Sequence, residues 1–288
     1  MGANLRVIRR KIKTVTNIWQ ITRAMHMVAA SRLKRVQPRV EASREYLRRL
    51  LDITASVAAH VPPELHPYLQ ERPVVASGVI VAAGDKGLAG SHNVNVLRLA
   101  EQHLATLNGP VKIITVGSKA TDYGRRRGWD VLSSHPAPGR GAESAEALQI
   151  ARLARGLFDR GEIDRLDIVY TEFLSPLRRP ARVSVILPLV PEAGKEESAP
   201  AEYLFEPPAE QLLASLLPRM VEAQVVNLLM QSVAAEHAAR MTAMSAATDN
   251  AAELRQHLVR DLNRARQAGI TGELLEIVAG ADALAQTE

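Results

Sequence analysis

From Pro207 to its end the chain runs for about eighty residues with little to stop a helix, only Pro218 and the glycines Gly269, Gly272 and Gly280 interrupting it. Proline is tolerated in a first helical turn, so Pro207 and Pro208 are well placed to start this helix. Some seventy helical residues at 1.5 Å each would span roughly 105 Å, whereas ordinary globular helices average about a dozen residues. A helix this long cannot be enclosed by a domain of the size that 288 residues allow, so it must pair with something. The pairing face is legible. Val233, His237, Arg240, Met244, Ala247, Ala251, Leu254, Leu258 and Ala265 keep to spacings of three, four or seven, close to a coiled-coil seam.

The opposite end of the chain offers the partner. Leu5, Ile8, Ile12, Val15, Trp19, Thr22 and Met25 recur at alternating spacings of three and four, which places them along one helix face. Pro38 removes a backbone hydrogen bond and is expected to kink this helix, and Val61-Pro62-Pro63 to end it. Residues 1–50 hold thirteen Lys or Arg against Glu41 and Glu45, a net +11, while the rest of the chain carries −6. A basic segment of this kind seeks nucleic acid, lipid headgroups or an acidic protein surface, unless it is simply a solvated face.

Between the helices the rhythm changes. Val74–Ala83, Val111–Val116, Leu166–Tyr170 and Val183–Leu189 read as strands, and Val94–Leu107, Lys119–Arg126 and Ala142–Asp159 as helices. Alternating strand and helix argues a parallel sheet covered by helices. Ser175–Pro180 reads as a turn and Glu192–Pro200 as a linker. The expected divisions are 1–60 for the basic helix, 74–190 for the α/β unit and 207–286 for the long helix. Because both helices emerge from one α/β body, they are expected to pair antiparallel.

Several function classes find no support. There is no cysteine, which excludes disulfides, thiolate metal sites and cysteine nucleophiles. No run approaches eighteen consecutive apolar residues, and the charged start is unlike a signal peptide. The eight histidines show no metal-ligand spacing, so no metal and no cofactor is expected. Gly84-Asp85-Lys86-Gly87-Leu88-Ala89-Gly90 follows a strand and opens a helix, yet its spacing fits neither the Walker nor the dinucleotide loop. The glycines read instead as a tight strand-to-helix turn. No acid–base pair stands out, and catalysis is not expected.

Three segments together resemble the F-type ATP synthase gamma subunit family. They are Ile21-Thr22-Arg23-Ala24-Met25-His26-Met27-Val28-Ala29-Ala30-Ser31-Arg32, the loop Gly84–Gly90 with Asn93, and the stretch from Ala238 through Asn250 to Ala283. The last contains Ile270-Thr271-x-Glu273-x-x-Glu276-x-x-x-Gly280-Ala281-x-Ala283, which satisfies the family's C-terminal signature. The order and spacing hold from residue 2 to about residue 283. Ser245 stands where bacterial members commonly carry lysine, and Ala89 where a cysteine is frequent.

The resemblance implies an α/β fold class, with a long antiparallel coiled coil of N- and C-terminal helices plus a central Rossmann-like α/β domain. It implies a non-catalytic rotor shaft, peripheral on the cytoplasmic side of the cell membrane, that couples proton flow to ATP synthesis. The implied partners are the alpha and beta subunits, epsilon and the ring of c subunits. Met25, Arg240, Arg266 and Gln267 match the family's partner contacts. Two other classes remain at this point. A basic coiled-coil nucleic-acid-binding protein would rest on the +11 segment, which has only Trp19 and Tyr46 to stack on bases. A nucleotide-dependent enzyme would rest on the α/β unit.

Overall fold

The computed structural model describes residues 2–58, 60–62, 66–70, 73–139, 143–189 and 206–285. Helix α1 (Gly2–Ala58) is followed by β1 (Ser77–Ala82), α2 (His92–Leu104), β2 (Val111–Val116), α3 (Ser118–Arg127), β3 (Val131–His135), α4 (Glu143–Asp159), β4 (Arg165–Thr171), β5 (Ala181–Leu187) and α5 (Ala209–Ala285). The chain divides into two compact units, Met1–Val28 with Met241–Glu288, and Ala29–Arg240. Both long helices therefore contribute residues to each unit. The linker expected over 192–200 lies outside the described residues.

In the unit of residues 29–240 the sheet order is β3-β2-β1-β4-β5. The first four strands are parallel; β5 pairs antiparallel with β4. That edge strand runs antiparallel because the β4–β5 connection is the short turn expected over Ser175–Pro180, closed where the backbone N–H of Ser175 donates to Arg178 O at 3.2 Å. Parallel pairing would need a crossover of a dozen residues or more. The sequence reading also missed β3, whose Val131-Leu132-Ser133-Ser134-His135 alternates between half-buried and exposed and lacks the Val/Ile run of its neighbours.

Strand alternation sends side chains into two layers. Ile80, Ala82, Ile114, Val116, Leu166, Ile168, Tyr170 and Ile186 meet α4 through Ile150, Ala154 and Leu157. The same layer receives Leu50 and Val57 of α1 and Leu213, Leu217, Val221, Val225 and Leu229 of α5. On the other face Val79, Val81, Ile113 and Val169 pack against Val96 and Ala100 of α2 and Ala120 of α3. This burial explains one property of α5. A window within Ala209–Ala279 reaches a mean hydropathy of 1.3, apolar and long enough to cross a membrane by length and composition, yet 44% of it is buried inside the fold.

Helix α1 extends past Pro38, which lies inside it. One missing N–H is outweighed locally by burial of Leu33, Val36 and Val40 around it, a tertiary override of an intrinsic helix-breaking tendency.

Candidate functional site

In an open α/β sheet, ligands bind beyond the carboxyl ends of the strands, where the strand order reverses. Here that point is the exit of β1, flanked by β2 and β4, and the loop leaving it is Gly84–Gly90. The loop's polar groups are taken up by the protein itself. The Gly84 N–H donates to Asn93 Oδ1 at 2.9 Å, and Asn93 Nδ2 donates to Lys86 O at 3.2 Å. Asp85 Oδ1 accepts from the Ser118 N–H at 2.8 Å and from the Ala137 N–H at 3.2 Å. An internal carboxylate thus occupies the N-terminus of α3, the position an anionic ligand would seek.

The remaining space is filled by α5. Ser232 Oγ donates to Ala82 O at 3.4 Å. The Glu236 carboxylate lies against Gly84, where a Cβ would stand 2.7 Å from its Cδ. Arg240 donates to Gly87 O at 3.3 Å, to Lys86 O at 3.4 Å and to Glu236 Oε1. The cavity left between Ala82, Val116, Pro138, Ser232 and Glu236 is about 10 Å³, about one water's worth of space. Beside it a more open cleft of about 560 Å³ is lined by Asp85, Lys86, Pro138, Glu146, Glu236 and Arg240, so acidic and basic side chains alternate around the loop.

Burial controls the charges here. Glu236 is held above the ordinary carboxylate range by burial, opposed by Arg240. His92, the first residue of α2, is buried with neither ring nitrogen hydrogen-bonded; burial first, then Arg240, Arg179 and His237, lowers its pKa to about 4. Leu88 holds a left-handed backbone (φ 62°) while 61% exposed. A non-glycine residue sustains that conformation only where its surroundings over-determine it, and the Asn93 and Arg240 bonds to Lys86 and Gly87 do so. Outside this region, Asp167 is wholly buried between His103 Nε2 at 2.8 Å and Arg165 Nε at 2.9 Å. No sequence pattern pointed to the His103–Asp167 contact, which only the packing of α2 on the sheet creates. With Arg165 as its third member it is a buried hydrogen-bonded network around one carboxylate.

The unit of residues 1–28 and 241–288 is a two-helix pair. Thr248 Oγ1 donates to Thr22 Oγ1 at 2.9 Å, and the guanidinium of Arg255 lies 5.5 Å from the centroid of the Trp19 ring, which Arg23 also approaches at 5.2 Å. Leu5, Ile8, Ile12, Val15, Trp19, Thr22 and Met25 are all at least half-buried, as their spacing predicts. The α5 seam differs from the predicted one. Met244, Ala251, Leu258 and Ala265 lie inward, but Leu254 is 50% exposed and Arg255 takes the inward position. The inward set 244, 248, 251, 255, 258, 262 and 265 follows a heptad, which admits polar residues that an apolar search skips.

Of the sequence-derived contact residues, Met25 is half-buried in the two-helix unit, and Arg266 and Gln267 are exposed on it. Arg240 belongs to the other unit and is buried, its guanidinium committed to the β1–α2 loop and Glu236. Met25, Arg266 and Gln267 thus belong to one compact unit and Arg240 to the other. Among the described residues no cluster of His, Asp or Glu could hold a metal ion.

A mostly parallel, Rossmann-like sheet whose β1 exit is contacted by the chain's own long helix, joined in sequence to a two-helix pair, places the chain in the α/β class. The ATP synthase family model matches residues 4–284, and the chain belongs to the ATP synthase gamma-chain family. It is 42% identical over 283 residues to the ATP synthase gamma chain of Desulfitobacterium hafniense, covering 98% of this chain and 99% of that one. With the gamma chain of Chlorobaculum parvum it shares 40% identity, covering 98% and 99%. The fold is similar to a chain in the rotor of Euglena gracilis mitochondrial ATP synthase, at 19% identity, a TM-score of 0.64 and coverage of 94% and 100%. The comparisons lend no support to a nucleic-acid-binding role.

Proposed function

We propose that this chain is the central rotor shaft of an F-type ATP synthase, turning with ion flow and driving the catalytic sites of the beta subunits through their conformations. The observation that carries this reading is the surface of the two-helix unit. Val7, Ile21, Leu254, Ile270, Leu274, Leu275, Ile277 and Val278 are all at least half-exposed although large and apolar. Exposed apolar surface on this scale marks a site of protein contact, and a sleeve of surrounding subunits would cover it. The relatives' name, ATP synthase gamma chain, supports the same assignment.

In this reading the alpha and beta subunits form the sleeve, and epsilon and the c-ring bind the sheet-containing unit, with the complex on the cytoplasmic side of the cell membrane. The basic character of residues 1–50, thirteen Lys or Arg against two Glu, suits acidic loops of the beta subunits. Met25, Arg266 and Gln267 would contact beta directly, whereas Arg240, turned inward, would act through the loop it holds. Rotation then selects beta conformations mechanically, each shaft orientation favouring a different one.

Co-expression with alpha and beta subunits tests this. The expected result is a stable complex that hydrolyses ATP and rotates an attached bead, with no hydrolysis by the purified chain. Failure to assemble, or ATPase activity in the chain alone, would overturn it.

A further inference from the structure

Most of what holds α5 in the sheet-containing unit is apolar: Leu213, Leu217, Val221, Val225 and Leu229 are nearly or wholly buried in one core. Apolar burial is strong but non-directional, so such a face by itself resists turning only weakly. Along another line of α5 the contacts are directional. Ser232 meets Ala82 O, Glu236 meets Gly84, and Arg240 meets the carbonyls of Lys86 and Gly87. These residues are four apart on the helix, one turn after another, and their partners follow in chain order from the end of β1 into the loop that leaves it. The ladder keeps register along its length and ends at Arg240, the last residue of this compact unit.

Resting on the rotor reading above, we propose that Glu236 and Arg240 are positioning residues that lock α5 to the β1–α2 loop in one rotational register, stiffening the joint through which torque passes between the long helix and the sheet. Turning α5 there would separate the Arg240 guanidinium from the Lys86 and Gly87 carbonyls. It would also press the Glu236 carboxylate against the Gly84 backbone, which has no side chain to yield. A buried pair of this kind adds little net stability compared with an apolar replacement, but breaking it leaves an uncompensated buried charge. The pair therefore opposes rotation more than it supports folding, and stiffness can be separated from stability.

The test uses the assembled complex with the alpha/beta ring immobilised. A single cysteine at the exposed position 119 of α3 (K119C) carries the probe, attached to the purified chain before assembly; labelling is specific because the chain has no other cysteine. Torsional stiffness is read from angular fluctuation during a catalytic dwell, and the melting temperature of the full chain is measured alongside. Arg240→Met should lower the melting temperature, because Glu236 is left buried without its partner. The double variant Glu236→Leu with Arg240→Met should recover most of that loss yet still broaden the angular distribution relative to the unsubstituted complex. An angular distribution as narrow as the unsubstituted one in the double variant overturns the proposal. So does a double variant that melts as low as Arg240→Met, since the pair would then be a folding contact. An unsubstituted chain that fails to rotate on the ring defeats the rotor reading instead.

Discussion

Gly84 lies directly beneath the carboxylate of Glu236, so that a Cβ on residue 84 would stand 2.7 Å from Cδ and 2.8 Å from Oε1. The absence of a side chain is what allows α5 to close over the end of β1. Glu236 cannot simply swing aside, because Arg240 holds it from the next turn. Gly84→Ala is therefore expected to destabilise the chain by about 1–3 kcal/mol through overpacking. Chemical denaturation of the two chains checks this, and an unchanged unfolding midpoint would show that Glu236 yields freely.

His92 makes stability depend on pH. Its folded pKa, lowered to about 4, lies below the ordinary histidine value of 6.5, so between these values the unfolded chain binds a proton that the folded chain refuses. The contribution is fully present above pH 6.5 and is lost as pH falls towards 4, amounting to about 3 kcal/mol at the acid end. Burial lowers the pKa of His66 and His135 in the same sense. Comparing melting temperatures of the native chain and His92→Gln at pH 7.5 and pH 5 isolates the residue. The gap between the two pH values should be smaller in the variant.

Arg266 and Gln267 are exposed on the two-helix unit, with donor groups free to meet a surrounding subunit. Changing both to Ala should leave assembly largely intact and weaken turnover or torque, since charge-assisted hydrogen bonds are worth about 1.5–3 kcal/mol each. Unaltered ATPase rate and torque in the assembled complex would mean that the pair only decorates a solvated face.

Pro38 interrupts the hydrogen-bond ladder of α1 without ending the helix. Pro38→Ala restores the N–H and should raise stability by about 1–3 kcal/mol. A lower melting temperature in the variant would show that a bend at this proline is needed for Val36 and Val40 to reach their buried positions.

Periodicity made much of this architecture legible. The α1 spacing from Leu5 to Met25 identified the inward face correctly because helix geometry is local and repeats every turn. The runs around Val79, Ile113 and Ile168 located three strands because residues buried on both faces must be apolar along the whole strand. Where partners rather than periodicity decide, the sequence was silent. Short, serine-containing β3 has its place through pairing with β2. Arg255 lies inward because Trp19 receives it.

The sequence by itself determined that two long helices flank an α/β unit and that its glycine loop has the spacing of neither the Walker nor the dinucleotide loop. Only the tertiary structure decided what fills that loop. Arg240 reads along the chain as one more seam residue, yet it reaches across 153 positions to the carbonyl of Gly87. Buried charges must find partners wherever the fold brings them, and that requirement leaves no periodic trace in the sequence.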